Sequence, residues 1–171
     1  NAWDWASALT VDGVGNIYVT GSSSGVTPTD FVTVKYNASG NQTWVARYNG
    51  PGNSSDNASS LVIDGFGNVY VTGESYDSGT YFDYATIKYD ASGNQLWASR
   101  YNGPGNFLDD PTALAIDGSG NVYVTGKSEG SGTNYDYATI KYDASGNQLW
   151  ATRYNGPGNS TDWASALAVD S

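Results

Sequence analysis

The stretch DYATIKYDASGNQLWASRYNGPGN, Asp83 to Asn106, decides the fold, because it returns at Asp136 to Asn159 with one change in 24 positions, Thr152 for Ser99. A more divergent copy, DFVTVKYNASGNQTWVARYNGPGN, runs from Asp30 to Asn53. Ahead of each copy stands a second fixed phrase, GNIYVTG from Gly15 and GNVYVTG from Gly67 and from Gly120, so the spacings are 52 and 53 residues. DWASAL opens at Asp4 and again at Asp162. A period of this length marks one supersecondary unit repeated in tandem.

Within the middle unit, period-2 alternation of β-branched and aromatic residues predicts four strands, over about 58–63, 68–73, 84–89 and 95–101. Helix signals are missing. The links DGFGN (Asp64 to Asn68) and DASGN (Asp90 to Asn94) are short and pair a capping Asp with a Gly free to take a positive φ, so they predict tight hairpins. The links at Glu74 to Phe82 and through NGPG are longer. An up-and-down meander then places all tight turns at one end and all long loops at the other.

A four-stranded antiparallel unit of about 50 residues, repeated, is a propeller blade. The fold class expected is all-β, tandem four-stranded blades at 4–56, 57–109 and 110–161, followed by the first strand of a fourth at 162–171. Three blades are too few to close a ring, since propellers use about four to eight. Two arrangements follow: the chain belongs to a longer array, or copies join by giving the spare strand to the next molecule's sheet edge. With no Met anywhere, the parent protein is expected to start upstream of Asn1 and to be longer.

DYATIKYDASGNQLWA, RYNGPGN and GNVYVTG resemble the bacterial SBBP-type β-propeller repeat, and the likeness extends over essentially the whole chain. The resemblance implies blades in large bacterial surface or secreted proteins. It implies no reaction.

Composition narrows the function classes. Seven Lys and Arg against seventeen Asp and Glu give a net charge of −10, which repels a phosphate backbone or an anionic lipid surface, so neither nucleic acid nor membrane insertion is expected. The apolar runs are only a few residues long, and no basic-then-apolar leader opens the chain. Cys and His are both absent, which removes disulfides, thiolate chemistry and the usual base of serine catalysis. Polar uncharged residues with fourteen Tyr suit an extracellular or cell-surface β-protein.

Most acids recur at fixed turn positions, Asp12, Asp64 and Asp117 before Gly, Asp90 and Asp143 before Ala-Ser-Gly, and turn capping explains them. Each turn supplies a single acid where a calcium loop needs several, so no metal site and no cofactor is expected. Glu74, Asp77, Glu129, Asp109 and Asp110 stand in or beside the long loops, where a polysaccharide-active enzyme would need a facing pair. That is the least favoured reading, and no catalytic residue is assigned. Lys35, Lys88 and Lys141, with Arg47, Arg100 and Arg153, belong to the repeat and are expected to cover apolar surface with their stems while their heads meet Asp or carbonyl groups.

The copies stop agreeing in the long loops, 22–29, 74–82 and 127–135, and around Phe107. Variation on one face of a regular scaffold is where binding specificity sits. Tyr76, Asp77, Tyr81, Phe82, Phe107 and Tyr135 are the candidate ligand-binding residues, offering aromatic faces for sugar rings or for another protein. Asn37, Asn41, Asn53, Asn57 and Asn159 open N-x-Ser/Thr triplets, the glycosylation acceptor pattern. The function expected is therefore a non-enzymatic structural or adhesive module whose partners are copies of itself or neighbouring repeats, with a lectin-like glycan- or protein-binding propeller as the alternative.

Overall fold

The computed structural model describes residues 3–25 and 28–170. Twelve strands form three four-stranded antiparallel sheets, each taken in chain order. The first blade holds β1 (Asp4–Val11), β2 (Ile17–Ser23), β3 (Asp30–Tyr36) and β4 (Gln42–Tyr48); the second holds β5 (Asp56–Ile63), β6 (Val69–Asp77), β7 (Tyr81–Tyr89) and β8 (Gln95–Tyr101). The third holds β9 (Asp109–Ile116), β10 (Val122–Glu129), β11 (Tyr135–Tyr142) and β12 (Gln148–Tyr154). No sheet closes on itself among the described residues.

One expectation needs correction. The link at Glu74 to Phe82 is not a long loop, because Glu74, Ser75, Tyr76 and Asp77 keep pairing with Tyr84, Asp83, Phe82 and Tyr81, leaving three residues to turn. The third blade does the same as far as Glu129 and Tyr135. Ladder bonds satisfy these backbone groups, so the polar side chains that read as loop are carried on a projecting hairpin. In the first blade Val26 and Thr27 of the corresponding 22–29 segment lie outside the described residues.

The core lies between sheets, not within one. β6 sends Val69 and Val71 to a cluster shared with Tyr18, Phe31 and Leu61, while Tyr70 joins Tyr84, Val122 and Ile140 on the other side. The period-2 alternation that marks a strand thus assigns each side chain to the preceding or the following blade. Inside each blade a threonine pair bridges the second and third strands, Thr72 to Thr86 at 3.2 Å in the middle sheet.

A tryptophan on the outer strand of the first and of the second blade fastens each to the next. Trp44 Nε1 donates to the Ala91 carbonyl and Trp97 Nε1 to the Ala144 carbonyl, both at 3.1 Å and both 47 residues ahead. The receiving turn needs glycine twice over: Gly93 has φ +85°, and a Cβ there would stand 2.8 Å from the Trp44 ring. On the inner strands, Ser59 Oγ donates to the Pro111 carbonyl at 2.6 Å, a second tie between neighbouring blades. Each inner strand also carries a bulge, as between Ala58 and Ser60, that brings its backbone against a glycine of the second strand, Gly73.

Residues 155–170 belong to no sheet. They nevertheless repeat the junction contacts: Gly156 N–H donates to Asp162 Oδ2 at 2.7 Å, as Gly50 N–H does to Asp56 Oδ2, and Thr112 Oγ1 donates to the Ala164 carbonyl at 2.6 Å. Ser171 lies outside the described residues.

Trp97→Phe keeps most of the ring packing and deletes the donation to Ala144. The expected loss is about 1 kcal/mol, the net worth of one such bond, read from urea unfolding; an unchanged midpoint would show that the indole N–H adds nothing to the junction.

Candidate functional site

The end of the molecule opposite the tight turns is built from the hairpins that join the second and third strands of each blade and from the NGPG loops. At the first two of these loops the first Asp of the next inner strand, Asp56 or Asp109, turns back to accept a backbone N–H, and behind it a Ser, a second Asp and an Arg complete a row. In the second blade Arg100 donates to Asp83 at 2.8 Å and to both the hydroxyl and the carbonyl of Ser75, and it also reaches Tyr48 of the preceding blade. In the third, Arg153 pairs with Asp136 at 3.0 Å and contacts the Ser128 hydroxyl. The arginine heads meet Asp and carbonyl groups, as the sequence predicts. The lysines instead sit over aromatic rings, Lys88 4.9 Å from the Tyr70 centroid and Lys141 4.9 Å from that of Tyr123.

These rows hold the hairpins up. Thr80 Oγ1 donates to Asp83 Oδ2 at 2.7 Å, Tyr76 N–H donates to the Ser55 carbonyl, and Phe82 bridges to Leu108. Four of the six predicted binding residues converge on the result. Tyr81 and Phe107 stack with centroids 4.6 Å apart and planes 7° apart, and Tyr76 and Phe82 meet Tyr81 edge-on at 5.7 and 4.9 Å. Tyr81 is 41% and Phe107 47% exposed. The other two lie elsewhere: Asp77 Oδ1 caps the hairpin turn by accepting Gly79 N–H, and Tyr135 sits one blade on, beneath Lys127.

Tyr81 has φ +70°, a left-handed conformation that costs a non-glycine residue about 1–2 kcal/mol. In the third blade Asn134 takes the aligned position, and Glu129 and Ser160 stand where the second blade has Tyr76 and Phe107. The aromatic group is thus peculiar to the corner between the second and third blades.

A second group was not read from the sequence as one unit. On the inner strands Asn57 pairs with Glu74 and Asp110 with Lys127 at the same register, where the first blade has Trp5 and Ser22. Asn57 Nδ2 donates to Glu74 Oε1 at 3.0 Å, and Lys127 meets Asp110 at 3.2 Å. Burial raises the Glu74 carboxyl, with the Asp110 charge adding to it. The signal was present as one aligned column that varies inside otherwise fixed strands. Among the acids weighed for chemistry, Asp109 is buried and accepts Gly103 N–H, Asp77 caps a turn, and Glu74 is taken by Asn57, so each of these three carboxylates is committed to a structural partner.

The acceptor asparagines are distributed over both ends. Asn37 caps its turn through Oδ1, Asn53 and Asn159 accept from Asn49 and Asn155 within NGPGN, and Asn57 uses its own amide on Glu74. Asn41, Asn53 and Asn159 are exposed.

The fold and this end of it define a class, tandem four-stranded blades fastened outer strand to next turn. The beta-propeller repeat model named SBBP matches residues 1–26, 43–79 and 96–133, more than half of the chain, and the chain belongs to that family. No curated protein matches it. Among solved structures it is similar to a crystal structure of a eukaryotic initiation factor, at TM-score 0.53 and 8% identity, covering 88% of this chain and 32% of that one. A protein of unknown function from Bacteroides caccae matches at TM-score 0.42 and 9% identity, over 88% of this chain and 67% of that one. The chain spans about a third of the length of the initiation-factor structure, and the likeness concerns the fold alone.

The buried row predicts a pH response. Burial pushes the Asp109 carboxyl up to about 6 although Gly103 N–H pulls it down. The folded chain therefore binds this proton at a higher pH than the unfolded chain does, and stability rises as the pH falls from about 6 towards 4. Asp90, Asp117 and Asp143 are held below their usual value, chiefly by the Asn94, Asn121 and Asn147 amides, so their contribution is present above about 4 and is lost as the pH falls through their folded values. Melting temperature is expected to peak near pH 4, and Asp109→Asn to flatten the limb between 5 and 7; an unchanged limb would remove Asp109 as its source.

Proposed function

We propose that the chain is a non-catalytic scaffold module of an extracellular or surface protein, whose blades continue end to end with further blades of the same kind, here a second copy. One observation supports this above the rest: the two halves of the tryptophan latch are both displayed, unused, on opposite outer faces. The third blade presents Trp150 and Tyr154, at 41% and 50% exposure, where Trp44 and Trp97 are engaged. The first blade presents the receiving side. Nothing stands within 4 Å of where a Gly40 Cβ would lie, whereas the equivalent Gly93 and Gly146 carry a tryptophan. Beside it opens a groove of about 180 Å³ lined by Trp5, Val19, Val32, Val34 and Tyr36.

The occupant that fits such a face is one built like the internal neighbour. Surfaces that differ but complement each other join head to tail, giving a ring or an open filament according to the rotation per step. Residues 162–170 repeat residues 4–12 at all but one position, Ala168 for Thr10, so either copy has an inner strand suited to the shared blade. A structural rather than catalytic role is favoured by how the Arg and buried Asp side chains of the rows bind one another inside the blades.

Sedimentation of the 18.0 kDa chain at rising concentration is expected to show oligomers, and Trp150→Asp to return it to the monomer. A monomer throughout, with no filaments by electron microscopy, would sink the head-to-tail reading.

A further inference from the structure

We infer that the Tyr81–Phe107 shelf is a binding subsite for a neutral glycan, a role that goes beyond the scaffold reading and does not rest on it. The two rings lie face to face with their planes parallel to within 7°, both partly open to solvent, so the pair offers a ligand an outer ring face, and Tyr76 and Phe82 brace it edge-on. A pyranose offers a flat, C–H-rich face of matching size, and its hydroxyls extend past the ring to polar groups at the rim. The rim here is the Tyr81 hydroxyl and Asn106, whose Oδ1 accepts from Asn102.

Backbone strain gives independent support. Tyr81 is held at φ +70°, where asparagine would be better tolerated, whereas in the third blade the left-handed residue of the hairpin is Gly132 and the aligned Asn134 is not strained. Phe107 occupies a loop position that is Ser54 and Ser160 in the other copies, so the fold does not require an aromatic there. Strained, over-determined residues of this kind cluster at ligand clamps.

Size and charge select the ligand. Two partly exposed rings fall well short of the roughly 800 Å² that each partner buries in a stable protein interface. The lysine of the adjoining hairpin, Lys127, is engaged by Asp110, and the chain carries a net charge of −10, so an anionic polysaccharide is repelled.

A glycan array covering neutral hexose and N-acetylhexosamine chains together with polyuronates tests this on the full chain. Binding to neutral chains is expected, weakened about tenfold or more by Tyr81→Asn, with the melting temperature held or raised because asparagine relieves the left-handed strain. Phe107→Ala is expected to weaken binding alike and serves if the first variant folds poorly. An array blank for neutral chains, binding to polyuronates alone, or full binding by both variants would each overturn the inference. Repeating the array with Trp150→Asp separates the shelf from avidity, so a failure of self-association leaves this result standing.

Discussion

A single blade of this protein has no core of its own. Its strands alternate side chains to two faces, and each face is buried only when another blade covers it. The junction between blades is therefore the interaction on which everything else depends. Burial of Val69, Val71 and Ile87 on one side and of Tyr84, Val122 and Ile140 on the other supplies the non-directional drive. The tryptophan latch, the glycine that receives it and the serine or threonine tie on the inner strand fix how far one blade turns relative to the next. On the outer faces of the first and third blades the glycine turn and the latch tryptophan stand without a partner blade among the described residues.

The second constraint is the disposal of charge inside the junction. A blade that carries Asp at the start of its first and third strands must bury carboxylates at each corner. The Arg, the Ser and the loop N–H of each corner meet that demand, at 2.8 Å for Arg100 to Asp83 and 2.5 Å for Gly103 N–H to Asp109. The compensation is incomplete, because burial still holds Asp109 well above an ordinary carboxylate. Such a row is rigid where it is paired, and the hairpins it supports are projections of the sheet and not free loops. Variable side chains are presented from fixed positions as a result, and the Tyr81–Phe107 pair is the most developed instance.

Sequence and structure part company in particular places. The tight turns were legible because Asp and Gly at those positions have local reasons to be there: Asp64 and Asp90 bind backbone groups two and four residues on, and no distant contact is needed to see it. The 74–82 hairpin was not legible, since Glu, Ser, Tyr and Asp read as loop until pairing with Tyr84 to Tyr81 is known. Of the aromatic candidates, Tyr76, Tyr81 and Phe82 are close in sequence, but their stacking with Phe107 comes from the loop that leaves the blade. Asp77 and Tyr135 shared the same segments and were turned elsewhere by a turn cap and a lysine.

The sequence by itself determined the repeat, the strand alternation and the tight turns, because each rests on spacing and on side chain to backbone bonds a few residues long. Only the tertiary structure decided which faces remain open, which carboxylates are buried, and that one tyrosine holds a strained backbone beside a phenylalanine 26 residues away. Those properties depend on the position of the neighbouring blade, and no local stretch of chain contains it.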